Sequence, residues 1–185
     1  MKLRKSNLSI VRQNFANAAF SHKVHEMAAE RKERKSNIFR VVNVILVAIV
    51  MLLFVFQALN PTNNTFSYIG AGLTAAEIIF LIVQLSFGVE REIVSHKNSA
   101  LKYMALRDRY KELIADITVS ALPDAQAVQL RSTYLREYQT ISDLALQTNP
   151  NDYSNAMSRL NLKPDGQNVW SDKQVNSLLP KELRV

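Results

Sequence analysis

The stretch Phe66–Val89 carries no charge except one glutamate, Glu77, near its middle. It is long enough to cross a bilayer, because a transmembrane helix needs about 20 apolar residues. An acid at the centre of such a helix costs about 2.5–3.5 kcal/mol on insertion scales. We therefore expect a membrane protein in which Glu77 faces a polar partner, a water-filled space or another subunit.

A second uncharged stretch, Val41–Leu59, precedes it. At about 1.5 Å per residue it also crosses a hydrocarbon core of about 30 Å. Residues 60–65 contain proline and asparagine, which stop a helix and predict a short turn. The turn has no lysine or arginine, whereas basic residues flank both spans on their other sides. The positive-inside rule then predicts a transmembrane hairpin with an extracytoplasmic turn and both termini in the cytoplasm.

Residues 1–40 contain ten basic and three acidic residues and so carry a net charge of +7. This equals the net charge of the whole chain. Ser6–Arg40 is predicted to be helical, because apolar or small residues recur at spacings of three and four without proline or glycine. The basic arm is first a topology signal, and contacts with anionic lipid or nucleic acid stay open. Disulfides and Cys-based zinc sites are excluded, since the chain has no cysteine.

The second span is expected to continue as one helix to about Ser120, so residues 90–120 form its cytoplasmic extension. Its apolar positions step by three and four, which predicts a seam packed against the N-terminal helix. Residues 121–185 are predicted to form further cytoplasmic helices and a tail that Trp170 anchors. The fold class is therefore an all-α membrane protein, a two-helix transmembrane hairpin extended into a cytoplasmic helical bundle. The seam residues are His96, Ser99, Ala100, Tyr103, Leu106, Tyr110, Leu113 and Ile117.

Residues spaced alternately three and four positions from Glu77 form a stripe along one face of the second span. Their side chains are small, polar or charged except at Leu81. Antiparallel pairing about the turn places Glu77 level with residues 48–50, which offer no hydrogen bond. Identical acids from several subunits around a wet lumen would satisfy it, and small residues permit close helix packing. The alternative is a protonated Glu77 bonded to a backbone carbonyl or to Thr74 in a plain packing interface. The residues predicted to line or gate a pore are Gly70, Thr74, Glu77, Gln84 and Gly88.

The same pairing predicts a layer of opposite charges at the membrane interface. It also places His22 and His25 much deeper in the cytoplasmic arm than His96, so we expect no meeting of the three and no metal site. We find no phosphate-binding glycine loop, nucleophile elbow or HExxH motif, which favours a protein without enzymatic activity or cofactor. The charge-layer residues are Arg34, Lys35, Arg40, Glu90, Arg91 and Glu92.

The layout resembles the SLATT family, the two-transmembrane effector domain of bacterial second-messenger and related conflict systems. The resemblance covers roughly Phe15–Tyr138. It is carried by AAFSHKVHEMAAERKER before the first span, by the two spans, and by SHKNSALKYMALRDRYKEL after them. In that last stretch the family-like spacing is His96, Ala100, Tyr103 and Leu106.

This resemblance implies an antiphage effector that oligomerises in the bacterial inner membrane and forms a pore or disrupts the membrane on activation. The implied partner is a cyclic-oligonucleotide synthase, a nucleotide sensor or a reverse transcriptase. The alternative is a membrane-anchored adaptor that recruits a partner protein or nucleic acid through its basic arm.

Overall fold

A computed structural model describes residues 2–62, 64–86, 88–163 and 169–184. Within these ranges the chain is helical without strands, which confirms the predicted all-α fold class. The elements are α1 (Lys2–Leu59), α2 (Thr65–Ser86), α3 (Val89–Thr118), α4 (Asp124–Leu144), α5 (Pro150–Arg159), α6 (Asp172–Leu178) and a 3-10 turn (Lys181–Leu183). The predicted basic helix and first span are therefore both parts of α1.

Among the described residues, the helix predicted from Phe66 to about Ser120 is divided into two elements. α2 ends at Ser86 and α3 begins at Val89, while Phe87 lies outside the described residues. Gly88 has a φ of 57°, a left-handed conformation that glycine adopts without the steric strain of a Cβ atom. Glycine ends many helices in this way, so Gly88 divides the helix in a stretch that contains no proline.

The chain divides into two compact units. The bundle unit consists of the residues up to Ala29 and those from Val94 onward, and the hairpin unit is Glu30–Ile93. Each unit has its own packing.

The bundle unit is built on α1 and α3. All eight residues of the sequence-derived seam on α3 are buried, and those from Tyr103 to Ile117 share one apolar cluster with Val11 and Phe15 of α1. The cluster continues into α4, through Ala127 and Ile141. The heptad pattern of α3 therefore faces the N-terminal helix, as its spacing requires.

The tail of the bundle unit docks onto α1 through Trp170. Its indole Nε1 donates to Asn17 Oδ1 at 2.7 Å, and its backbone exchanges two hydrogen bonds with the Gln13 side chain. Its ring lies 5.2 Å from that of Phe20. Arg12, which is 4 % exposed, donates to Asn176 Oδ1 at 2.8 Å. These contacts fix the segment around α6 to the first half of α1.

The hairpin unit contains the two apolar stretches. Both belong to helices long and apolar enough to cross a membrane, with mean hydropathy of 2.9 and 1.9 in their most apolar windows. Only 6 % and 11 % of those windows is buried by the described chain. Helices of the core of a soluble protein would bury most of such surface, so these apolar side chains suit lipid.

Candidate membrane-embedded site around Glu77

One face of α2 packs against α1 along a heptad-spaced line, here called the hairpin seam. A Cβ atom built on Gly70 would lie 3.9 Å from Leu53 Cβ, in ordinary van der Waals contact. Near the turn, Ser67 N donates to Gln57 Oε1 at 3.0 Å. The seam consists of Asn43, Leu46, Val50, Leu53 and Gln57 of α1 and of Ser67, Gly70, Thr74, Glu77 and Gln84 of α2, all buried or half-buried.

Glu77 lies at the middle of this seam and is half-buried. Gly70 lies seven residues earlier, almost two full turns away, so Glu77 points to the same side of α2. Among the described residues, none donates a hydrogen bond or a salt bridge to its carboxylate. The described part of the chain therefore leaves this acid without a polar partner at the level of the hydrocarbon core.

The other members of the stripe have different surroundings. Gly70 is buried against α1, so it packs within one hairpin and does not line a lumen in this structure. The Thr74 hydroxyl donates to the Gly70 carbonyl at 2.9 Å, so in this structure it does not bond Glu77. Gln84 is half-buried, and Gly88 is the exposed helix break described above. Glu77 and Gln84 thus remain as the polar side chains of the stripe that form no hydrogen bond with a described residue.

The opposite face of α2 is apolar and exposed. Ile78, Ile79 and Ile82 each expose more than half of their surface, and Leu85 exposes 82 %. Ser86 shares this face, but its hydroxyl donates to the Ile82 carbonyl at 2.8 Å and is thereby satisfied within the helix. α2 therefore has an apolar outer face and a polar seam.

A charge layer forms in the hairpin unit, with the predicted Arg40 and, in addition, Lys32 as its cations. Lys32 Nζ donates to Glu92 at 2.5 Å, and Arg40 donates to Glu90 at 2.6 Å. The buried Ser36 hydroxyl also donates to Glu90, at 2.8 Å. Lys32, Ser36 and Arg40 are four residues apart and therefore share one face of α1, a spacing that can be seen in the sequence.

Arg34 and Lys35 do not take the pairing positions expected of them. Lys35 lies over the Phe39 ring, 5.7 Å from its centroid, and Arg34 is exposed. Both lie off the face shared by Lys32 and Arg40, because each residue turns the helix by about 100°. Arg91 is likewise exposed.

Comparison with known families decides the class of this hairpin. The model of the SMODS and SLOG-associating 2TM effector domain, family 4, matches residues 8–172. The chain belongs to this SLATT family. Neither the comparison with curated proteins nor that with solved structures found a match. The SLATT domain is a two-transmembrane effector domain associated with conflict systems, so the chain is a membrane protein of that effector class.

A histidine pair lies in the bundle unit of this SLATT chain, contrary to the expectation that its histidines stay apart. His25 Nδ1 and His96 Nδ1 are 3.0 Å apart, and both residues are buried. His22 Nδ1 lies 2.9 Å from the Ala100 carbonyl oxygen, which places position 25 level with about position 97. A turn centred between Thr62 and Asn63 puts position 25 level with position 100, only about one helical turn from His96, so the expected separation of the histidines was too large.

Burial, and after it the nearby His96, lowers the pKa of His25 from 6.5 to about 4, while Asp152 of α5 acts in the opposite direction. The Tyr103 ring stacks on His25 with centroids 5.5 Å apart, and its hydroxyl is 2.8 Å from Ser142 Oγ. In the hydrogen bond between the two imidazoles one Nδ1 donates and the other accepts, so the accepting ring carries its proton on Nε2. The SLATT bundle therefore holds His25 in its neutral form at neutral pH.

Proposed function

We propose that this SLATT protein is a non-enzymatic effector of bacterial antiphage defence. It oligomerises in the inner membrane, with both termini in the cytoplasm, and forms a pore or disrupts the membrane when a partner or signal activates it. The partner class suggested by the family resemblance is a cyclic-oligonucleotide synthase, a nucleotide sensor or a reverse transcriptase. The basic flanks of both spans support this orientation.

The observation that carries the proposal is the Glu77 carboxylate, half-buried in the hairpin seam without a partner from the described residues. A polar group in hydrocarbon must be satisfied, and no described residue of the same chain satisfies this one. Further copies of the chain, with water between them, would supply the missing polar surroundings. Rings of acidic side chains line cation-selective pores, so a Glu77 layer shared by several copies would favour cation leak.

The route from signal to membrane would be α1, which is helical without interruption from Lys2 to Leu59. A rotation of its first half is passed along an unbroken helix to Val50 and Leu53, the α1 side of the hairpin seam. Gly88 instead interrupts such transmission between α3 and α2, because the helix break there separates the two helices. In this proposal α1 transmits the signal and Gly88 lets α2 respond.

The test is ion leak from liposomes that contain the purified protein, with and without its signalling partner. Wild type is compared with Glu77→Gln and with the matched control Ser86→Ala, which removes a polar group from the outer face of the same helix. We expect leak that requires the partner and that changes with Glu77→Gln but not with Ser86→Ala. If Glu77→Gln leaves leak and toxicity unchanged, the role of Glu77 is wrong. If an inserted oligomer never leaks, the pore itself is wrong.

An adaptor role for the basic arm is the second candidate, and the exposed Arg34 and Lys35 favour it. Against it, at least five of the ten basic residues in the arm make polar contacts with other parts of the chain or along α1: Arg4, Arg12, Lys23, Lys32 and Arg40. If the protein is an adaptor, charge reversal at Arg34 and Lys35 should abolish its function. If the protein forms a pore, the same change should leave its function intact. Function is read in cells as protection from phage.

A further inference from the structure

The bundle unit contains a cleft of about 490 Å³ between α1, α3, α5 and the segment around α6. Its size lies in the range of about 300–1,000 Å³ that is usual for small-molecule sites. Four basic side chains line it, Lys23 of α1, Arg107 and Lys111 of α3, and Arg159 of α5. The helices α1, α3 and α5 thus each contribute positive charge to the same cleft.

Two carboxylates share this space. Glu26 accepts from Lys23 Nζ at 2.8 Å. Asp108 lies 2.9 Å from Arg107 and 3.5 Å from Lys111 Nζ. The lysine, arginine and carboxylate side chains that line the cleft carry a net charge of +2. An anion that enters would therefore meet a positive potential.

The ion pairs inside the cleft do not hold the bundle together. Lys23 and Glu26 belong to α1, and Arg107, Asp108 and Lys111 all belong to α3. Pairs within one partly exposed helix contribute little to stability, about 0.3–0.5 kcal/mol each. These pairs thus do not explain why Lys23, Arg107 and Lys111 converge on one space.

The remaining wall of the cleft is apolar. It includes the buried Phe15 and Leu179 and the half-buried Leu160 and Leu178. A ligand for such a cleft needs anionic groups to match the cations and an apolar or flat portion to cover this wall. Arg107 is suited to phosphate because its planar guanidinium presents several donors at once.

We propose that this cleft binds a small phosphorylated organic molecule. Its phosphate groups contact Arg107 and Lys111, with Lys23 and Arg159 around them, and its organic part lies on Leu160 and Leu178. The site belongs to the bundle unit alone and does not depend on pore formation. Binding and leak can therefore succeed or fail separately.

The experiment measures binding by isothermal titration calorimetry, with the full-length protein in detergent. Pyrophosphate tests the charges alone, adenosine tests the organic part alone, and ADP combines the two. The loss variant is Arg107→Gln/Lys111→Gln. The matched control is Lys102→Gln/Arg136→Gln, which removes the same charge from exposed positions on α3 and α4. Thermal unfolding shows that each variant is folded.

We expect ADP to bind more tightly than pyrophosphate, adenosine to bind negligibly, and the loss variant to weaken ADP binding at least about tenfold, as the loss of charged hydrogen bonds predicts. The control variant should stay within about twofold of wild type, since distant exposed charges are screened by salt. No binding of ADP or pyrophosphate at millimolar concentration would overturn the site, and so would an equal loss in the control.

Asp108→Asn is predicted to increase the affinity for ADP, a result that a folding defect would not produce. It removes a negative charge from the cleft and releases donors of Arg107 and Lys111 toward the ligand. We expect ADP affinity to rise about threefold or more at low salt, on the scale of one charge at about 6 Å in water. Unchanged or weaker binding would contradict the placement of the phosphate groups.

Discussion

Acidification should destabilise the bundle unit through His25. Its pKa is about 4 in the folded protein and 6.5 without burial, so the unfolded chain takes up the proton first. The stabilising effect of the neutral ring is therefore complete above about pH 6.5 and is lost as the pH falls toward 4. The groups that face the ring are His96 and Tyr103 of α3 and Asp152 of α5, besides its own α1 neighbours.

The magnitude follows from the gap between the two pKa values. A difference of one unit corresponds to about 1.4 kcal/mol, so the full effect is about 3 kcal/mol. At pH 5 the folded ring is still mostly neutral and the unfolded ring mostly charged, which gives a loss of about 2 kcal/mol relative to pH 7.5. A loss of this size is a large fraction of the stability of an ordinary domain.

The assay is urea unfolding of the detergent-solubilised protein at several pH values. It is followed by the fluorescence of Trp170, the only tryptophan of the chain, which docks on α1 inside the bundle unit. His25→Gln should have a flatter stability profile between pH 7.5 and 5 than wild type. The control His22→Gln should keep the wild-type slope. Carboxylates titrate in all three proteins, so the difference between profiles is the readout, and parallel profiles for His25→Gln and wild type would refute the reasoning.

Three further predictions concern single side chains. Leu106→Ala should lower the free energy of unfolding by about 2–5 kcal/mol, because the side chain is fully buried in the α1–α3 cluster, and Trp170 fluorescence in urea measures this. Arg12→Ala should lower it by about 2–3 kcal/mol through the lost charged hydrogen bond to Asn176, and a loss below 0.5 kcal/mol would mean that this contact is dispensable. Gly88→Ala should lower the thermal midpoint through about 1–2 kcal/mol of left-handed strain, whereas Gly72→Ala, with open space around it, should not.

The membrane spans and the α3 seam could be predicted from the sequence because each depends on local spacing. Two long uncharged stretches with basic flanks leave few alternatives to a hairpin, and a heptad pattern fixes which face of α3 is buried. The break at Gly88 was missed because a glycine inside an apolar run is compatible with a continued helix. The φ of Gly88 depends on its surroundings and not on the letter alone.

Contacts between distant helices were harder to predict, because they need the rotation of each helix as well as its register. The charge layer was expected at the right level, yet Lys32 and Arg40 face the glutamates while Arg34 and Lys35 point elsewhere. The cleft with Arg107 and Arg159 combines residues from four segments. No local spacing signals such a convergence.

The docking of Trp170 on α1 has a consequence for the order of events during biosynthesis. Gln13 and Trp170 are 157 residues apart in the chain, and Arg12 and Asn176 are 164 apart. At about 5–20 residues per second, the first half of α1 emerges from the ribosome about 8–30 s before its partner segment is made. During that interval Phe15 and Phe20 lack part of their final cover, although the hairpin already follows them. A chaperone, the membrane surface or a neighbouring nascent chain has time to contact this face before Trp170 closes it.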